Sequence, residues 1–182
     1  MISNPAATEV VSFWRQAGPD RWWEKNDEFD RLVRLTFLPL HEAAARGELA
    51  AWENTPEGAL GLVILLDQFP RNMFRGSPHS FATDPLAQGA AERAIARGFD
   101  AATDEEMRMF LYMPFMHSEV LHHQDRCVEL MAAMADDGLE KFATVHRDII
   151  AKFGRFPHRN SALGRVTTAA EQDFLDAGGF AG

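Results

Sequence analysis

The sequence contains very little cysteine and very little lysine. Its 182 residues include one cysteine, Cys127, which excludes an internal disulfide and a zinc site with four cysteine ligands. Only 3 of its 18 basic residues are lysines, and 27 acidic residues give a formal net charge of −9. This balance argues against a protein that binds nucleic acid non-specifically, because such proteins carry an excess of positive charge.

Long apolar runs are also missing. The longest uncharged ones, residues 58–66 and 109–118, reach about half of the roughly 20 residues that a membrane helix needs. The first 14 residues contain neither a basic stretch nor a long apolar segment, so no secretory signal is expected. We therefore predict a protein of the reducing cytoplasm with no membrane partner.

What remains is the composition of an ordinary globular protein. Apolar residues make up 46% of the chain and charged residues 25%. No linker or low-complexity tract interrupts the sequence, so residues 1–182 are predicted to form a single compact domain.

Apolar residues recur at helical spacing nearly throughout, and no strand-like alternation is found. The pattern predicts an all-α fold of six to eight helices. Predicted helix starts include an N-cap at Asn26 and capping boxes that begin at Thr103 and Thr168. A helix that opens at Thr55 is apolar on nearly every side, which predicts burial, and Pro70 is expected to end it.

The longest predicted helix runs from Thr103 to about Asp136. Its middle, residues 109–116, is apolar throughout and contains Pro114, so we expect it to be the buried central helix of the fold. Two other helices carry apolar stripes on which Leu32 and Phe142 are expected to be buried.

Two separate segments place Phe-Pro just before an Arg-Asn pair. The first is residues 69–72, followed by Arg75, and the second is residues 156–160, followed by Arg165. In a structural interpretation, these side chains satisfy the carbonyls left open at helix ends. In a functional interpretation, the two loops converge and their guanidinium groups line one pocket, where arginine suits a phosphate or carboxylate.

The local charge agrees with an anion site. Residues 141–165 hold six basic residues and one acidic residue, on a chain that is acidic overall. Asp67 is expected to be buried in the last turn of its helix, where a negative charge is disfavoured. Arg71 or Arg75 is the expected partner that keeps this carboxylate ionised.

The histidines suggest chemistry without defining it. Glu119 and His122 have the spacing of a di-iron motif, but no second copy follows, so no metal is expected. His117 and His146 lie on apolar helix faces, while His158 is predicted to be the accessible imidazole. No nucleophile elbow, phosphate loop or dinucleotide fingerprint occurs, so no cofactor is expected and no reaction can be assigned.

Three motifs carry a family resemblance: LDQFPRN at 66–72, MPFMHSE at 113–119 and FGRFPHRN at 153–160. Together they resemble the uncharacterised bacterial family called domain of unknown function 924. The resemblance implies an all-α fold grouped with tetratricopeptide-like (TPR-like) helical proteins, although the sequence has no clear 34-residue period. The family has no established activity, so the resemblance implies no catalytic residues.

We therefore predict a helical ligand-binding domain with an Arg/His/Asn-lined polar pocket for a small anionic molecule or peptide. The candidate ligand-binding residues are Asp67, Gln68, Arg71, Asn72, Arg75, His117, Glu119, Arg155, His158, Arg159 and Asn160. One alternative is an enzyme acting on a small anionic substrate, with His158 or His117 transferring protons and Glu119 or Asp67 orienting them. Another is a scaffold whose polar motifs are internal ties. The sequence does not determine the oligomeric state.

Overall fold

The computed structural model describes residues 5–180, apart from the side chains of Pro5 and Asp137, and within these residues the chain is helical with no β-strand. The α-helices are α1 (Pro5–Ala17), α2 (Pro19–Trp22), α3 (Asp27–Ala45), α4 (Pro56–Val63), α5 (Phe69–Met73), α6 (Asp84–Ala96), α7 (Glu105–Met116), α8 (Leu121–Ala132), α9 (Asp137–Phe153) and α10 (Ala169–Asp176). The predicted all-α class is confirmed.

The chain divides into two compact units. Unit 1 comprises Met1–Arg75 and His79–Pro114, and unit 2 comprises Gly76–Pro78 and Phe115–Gly182. The predicted single domain stays a prediction, and each unit is described by itself below.

Unit 1 has an aromatic core centred on Trp14 of α1. Its ring lies 5.7–6.2 Å from the rings of Trp22, Phe29, Phe69 and Phe110. Every residue of α4 from Gly58 to Val63 is buried, as the all-round apolar pattern predicted. Large aromatic side chains from α1, α2, α3, α5 and α7 thus pack together in this core.

Pro70 does not end its helix, and that prediction is wrong. The helix that begins at Pro56 continues through a π-turn, Ile64–Gln68, directly into α5. A π-turn widens the helix by one residue, which makes room for a proline that an ordinary α-helix would not accept without a kink.

The predicted long helix from Thr103 to Asp136 is interrupted. It ends at Met116, and α8 begins only at Leu121, after residues 117–120. The side chain of Gln124 donates hydrogen bonds of 2.6 Å to the carbonyls of Met116 and Ser118, which stabilises the break. Thr103 is not the cap, because Asp104 Oδ1 accepts the hydrogen bond from the Met107 amide instead.

Helices α8 and α9 pack against each other in unit 2. The core there is formed by Ile149, Ile150 and Phe156, against which Phe174 and Phe180 pack. Gly154 ends α9 with φ 70°, a left-handed conformation that favours glycine. The capping box predicted at Thr168 is present.

Two apolar side chains predicted to be buried are exposed. Leu32 of α3 is 48% exposed, and Phe142 of α9 is 44% exposed. The buried face of α3 follows an i, i+4 line through Phe29, Val33 and Phe37, so Leu32 lies at the edge of the stripe. Periodicity indicates a face, but its width depends on what packs against it.

No helix within residues 5–180 is long and apolar enough to span a bilayer.

Cys127 is fully buried in unit 2, as expected for a small core residue, and burial raises the pKa of its thiol to about 12. Since the thiolate is the reactive form, we expect almost no reaction with Ellman's reagent in the native protein at pH 8. One equivalent should react quickly in concentrated guanidinium chloride. Rapid labelling of the native protein would contradict this prediction.

Candidate functional site

The first Phe-Pro segment lies inside the widened helix of unit 1. The Phe69 amide donates to the Ile64 carbonyl, five residues earlier, as in a π-turn. Pro70 has no N–H, so the carbonyls around it cannot all find partners within the helix.

Side chains supply the missing donors to three consecutive carbonyls. The pairs are His41 Nδ1 with Leu65 O (2.9 Å), Thr83 Oγ1 with Leu66 O (2.6 Å) and Arg71 Nη1 with Asp67 O (2.5 Å). Because a carbonyl can only accept, the proton lies on His41 Nδ1. Burial lowers the pKa of His41, which keeps the ring neutral in this role.

Asp67 is fully buried, as predicted, and it lies beside Arg71. Gln68 Nε2 donates to Asp67 Oδ2 at 2.6 Å, and Arg71 Nη1 lies 3.5 Å from Asp67 Oδ1. The two terminal nitrogens of Arg71 also bond the two oxygens of Asp84, at 3.0 and 3.1 Å. Burial alone would lower the pKa of Arg71, but Asp67 and Asp84 raise it overall.

Arg75 and Asn72 bind a different carboxylate of unit 1. Arg75 Nε and Nη2 donate to Asp30 at 2.7 and 3.0 Å, and Asn72 Nδ2 donates to Asp30 Oδ1 at 2.8 Å. The five candidate residues of unit 1 therefore take part in contacts with acidic side chains of the same unit.

The second Phe-Pro segment forms a short 3-10 turn, Pro157–Arg159, in unit 2. Glu119 fixes its start, because Glu119 Oε1 accepts a 2.9 Å hydrogen bond from the Phe156 amide. Arg165 donates to both oxygens of Glu119, at 2.8 and 2.7 Å. Although burial alone would raise the pKa of Glu119, Arg165 and the Phe156 amide lower it, so the carboxylate stays ionised.

Glu171 forms hydrogen bonds with one residue before and one residue after the 3-10 turn. Arg155 donates to its two oxygens at 2.6 and 2.8 Å, and Asn160 Nδ2 lies 3.3 Å from Glu171 Oε2. Arg155 and the Thr168 amide lower the pKa of Glu171 to about 2. Sequence reasoning found Glu171 only as a capping residue, since its spacing from Thr168 is local and its pairing with Arg155 is not.

Arg159 lies inside unit 2, with only 6% of the residue exposed. Its guanidinium stacks 4.6 Å from the centre of the Phe156 ring, and Nη2 donates to the His117 carbonyl at 3.0 Å.

His146 and His158 lie close enough to Arg159 to be affected by its charge. Burial, and to a smaller extent nearby positive charge, lowers the pKa of His146 to about 4 and that of His158 to about 3. Both rings are neutral at pH 7, so Arg159 is the cation at the centre of this group.

His158 Nδ1 and Asn160 Oδ1 are among the polar atoms of residues 156–160 that are buried without a hydrogen bond to any described residue. Asn160 is only 1% exposed. Buried polar atoms nearly always have a partner, so these two atoms need an explanation such as a bound water or ion. His158 was predicted to be accessible, but its ring packs 5.5 Å from Phe156 and 5.2 Å from Phe180.

The structure thus places six of the candidate residues in one network of unit 2 and five in unit 1. The unit 2 network adds Arg165, Glu171 and His146, which sequence reasoning did not include among the site residues. Within the described part of the chain, no group of three or more His, Cys, Asp or Glu side chains is arranged to hold a metal ion.

The family described as "Bacterial protein of unknown function (DUF924)" matches residues 10–179. The chain belongs to this family. The resemblance carried by the three sequence motifs is confirmed.

One solved DUF924-like structure is very similar to this chain. It is the protein of unknown function ATU0120 from Agrobacterium tumefaciens, which is 46% identical, with a TM-score of 0.91. The match covers 94% of this chain and 97% of that one. No curated protein is significantly similar to the chain.

Proposed function

We propose that this chain is a ligand-binding protein and that residues 156–160 of unit 2, with His117 and Glu119, bind a small anionic molecule or peptide. The observation that supports this most strongly is the pair of buried polar atoms without a hydrogen bond, His158 Nδ1 and Asn160 Oδ1. Both atoms lie within residues 156–160, two residues apart in the chain, which is consistent with one ligand.

The charge around the turn favours an anion. Arg155, Arg159 and Arg165 contribute three positive charges, and Glu119 and Glu171 contribute two negative ones. His146 and His158 stay neutral at pH 7 because of their lowered pKa values, so they do not alter this balance. The result is one net positive charge on a chain whose net charge is −9.

The same atoms indicate what else the ligand carries. Asn160 Oδ1 can only accept a hydrogen bond, so the ligand supplies a donor as well as a negative charge. A carboxylate with a neighbouring hydroxyl or amide group meets both requirements, and so does the free C-terminus of a peptide. Inorganic anions without a donor should bind more weakly.

Binding is favoured over acid–base catalysis. With a pKa of about 3, His158 is a poor proton acceptor at pH 7, since an efficient general base has a pKa near the working pH. Glu119 is engaged by Arg165 and the Phe156 amide, which suits a positioning role.

A structural role is favoured for the candidates of unit 1. Arg71 and Arg75 each form a bidentate ion pair with an aspartate. A ligand at this place would have to compete with those carboxylates. The predicted convergence of the two Phe-Pro segments on one pocket stays a prediction.

We infer a single TPR-like helical domain with α7 as its central helix, working in the cytoplasm without a cofactor or a nucleic-acid partner. Burial of Met107, Phe110 and Leu111 supports the central position of α7, and the family resemblance supports the TPR-like arrangement.

The anion site can be tested by isothermal titration calorimetry with citrate, inorganic phosphate and a tripeptide with a free or an amidated C-terminus. We expect citrate and the free tripeptide to bind the native protein, and Arg159→Gln to weaken binding at least about tenfold, because a charged hydrogen bond is lost. The matched control is Arg147→Gln on α9, whose side chain is 40% exposed and pairs with Asp125.

Two results would overturn the proposal. One is the absence of any binding heat and of any thermal shift for all four compounds at millimolar concentration. The other is an equal loss of affinity in Arg147→Gln and Arg159→Gln, which would indicate general attraction of anions rather than a site.

A further inference from the structure

Unit 1 carries an unusual apolar surface on α3. Leu32 is 48% exposed and Leu35 is 75% exposed. The two residues are three apart, so they lie next to each other on the same side of α3. Single exposed leucines are common, but neighbouring ones beside a hollow indicate an interaction surface.

The hollow lies between α1, α2 and α3 and has a volume of about 390 Å³. Its apolar walls are formed by Phe13, Ala17, Phe29 and Leu32, and Arg21 and Glu28 lie at its edge. The Phe13 and Phe29 rings stack with their centres 5.7 Å apart, which gives the hollow a rigid aromatic side.

The surface therefore contains both a depression and a projecting side chain. Leu35 stands out from α3 one turn beyond Leu32, which itself lines the hollow. A projecting side chain and a hollow on the same surface can meet their counterparts on a second copy through a two-fold rotation, and two-fold dimers are the most common protein assemblies.

The charges at the edge of the hollow are also complementary under this rotation. Arg21 and Glu28 are both exposed, and neither forms an ion pair with another residue in the described range 5–180. When the surface meets a copy of itself, Arg21 of one chain can face Glu28 of the other, twice per interface. Opposite charges at the rim favour the correct register and disfavour other partners.

We propose that a second copy of this chain docks on the α1–α3 surface, with Leu35 of each copy in the hollow of the other. The proposal is independent of the anion site in unit 2, because it uses no residue of that site.

Sedimentation velocity over a range from about 1 to 300 μM tests the proposal directly. We expect the native chain to convert from monomer to dimer as its concentration rises. Leu35→Asp should raise the dimer dissociation constant at least about tenfold, because a central apolar anchor is replaced by a charge. The matched control is Val166→Asp in unit 2, at a residue that is 84% exposed, which should leave the dissociation constant unchanged.

A charge exchange provides a second measurement. Arg21→Glu and Glu28→Arg should each weaken the dimer alone, because every chain then brings only one sign of charge to the rim. An equimolar mixture of the two variants should restore association, since each supplies what the other lacks.

Two outcomes overturn the proposal. A chain that stays monomeric over the whole range, with Leu35→Asp indistinguishable from the native chain, means that this surface binds a different protein or none. A dimer that survives Leu35→Asp and both charge variants uses another surface.

Discussion

Replacing Arg71 by methionine is expected to lower the free energy of unfolding by about 3–5 kcal/mol. The reason is Asp67, which is fully buried and lies 3.5 Å from the Arg71 guanidinium. Removing the arginine leaves the Asp67 carboxylate in the core without the neighbouring positive charge, and Asp84 loses the two hydrogen bonds that Arg71 donates. Urea unfolding at pH 7, followed by circular dichroism, measures the loss.

Arg75→Met is the matched control, because it removes the same group from a more exposed pair. The Arg75 side chain is 41% exposed, and its partner Asp30 is 13% exposed. A partly exposed pair contributes only about 1 kcal/mol, so the loss should be several-fold smaller. Adding Asp67→Asn to Arg71→Met should recover part of the stability, since the buried charge is then absent. Equal losses for Arg71→Met and Arg75→Met would contradict the prediction.

Mild acid is expected to destabilise the protein strongly, at pH values higher than those at which carboxylates take up protons. The pKa values of His146 and His158 are lowered to about 4 and about 3 in the folded chain, against about 6.5 in the unfolded chain. As pH falls below about 6.5, the unfolded chain takes up protons first, and folding loses stability. The contribution is therefore complete above about pH 6.5, and between pH 7 and 4.5 the two histidines together should lose on the order of 5 kcal/mol.

The pH dependence of urea unfolding between pH 7.5 and 4.5 measures this effect. The double variant His146→Gln and His158→Gln should flatten the slope, whatever its stability at pH 7. His122→Gln is the control, because His122 is exposed, and it should leave the slope unchanged. A native protein whose stability is constant from pH 7 to 5 would show that these histidines are not buried in the neutral form.

Local signals in the sequence explain which parts of the fold could be predicted. Asn26 and Thr168 cap helices as expected, and Gly154 ends α9, because each acts on backbone groups within a few residues. The π-turn around Pro70 could not be predicted in this way. It depends on donors from His41 and Thr83, which come from distant parts of the chain.

The candidate site shows the same contrast between local and long-range features. The residue types were found, since arginine, histidine and asparagine near Phe-Pro are visible in the sequence. Their partners were not, because Arg75 pairs with Asp30, 45 residues away, and Arg165 pairs with Glu119, 46 residues away. The partial burial of His158 was missed for a similar reason, because Phe180, which is distant in sequence, packs on its ring.

The side-chain donors at the π-turn have a consequence for how unit 1 unfolds. The helix from residue 56 to residue 73 keeps its backbone satisfied only while α3 supplies His41 and the segment before α6 supplies Thr83. Taken out of that setting, the segment would have to leave the carbonyls of Leu65 and Leu66 to water. It is therefore not an independently stable helix, and it belongs to the same cooperative unfolding unit as the elements that flank it.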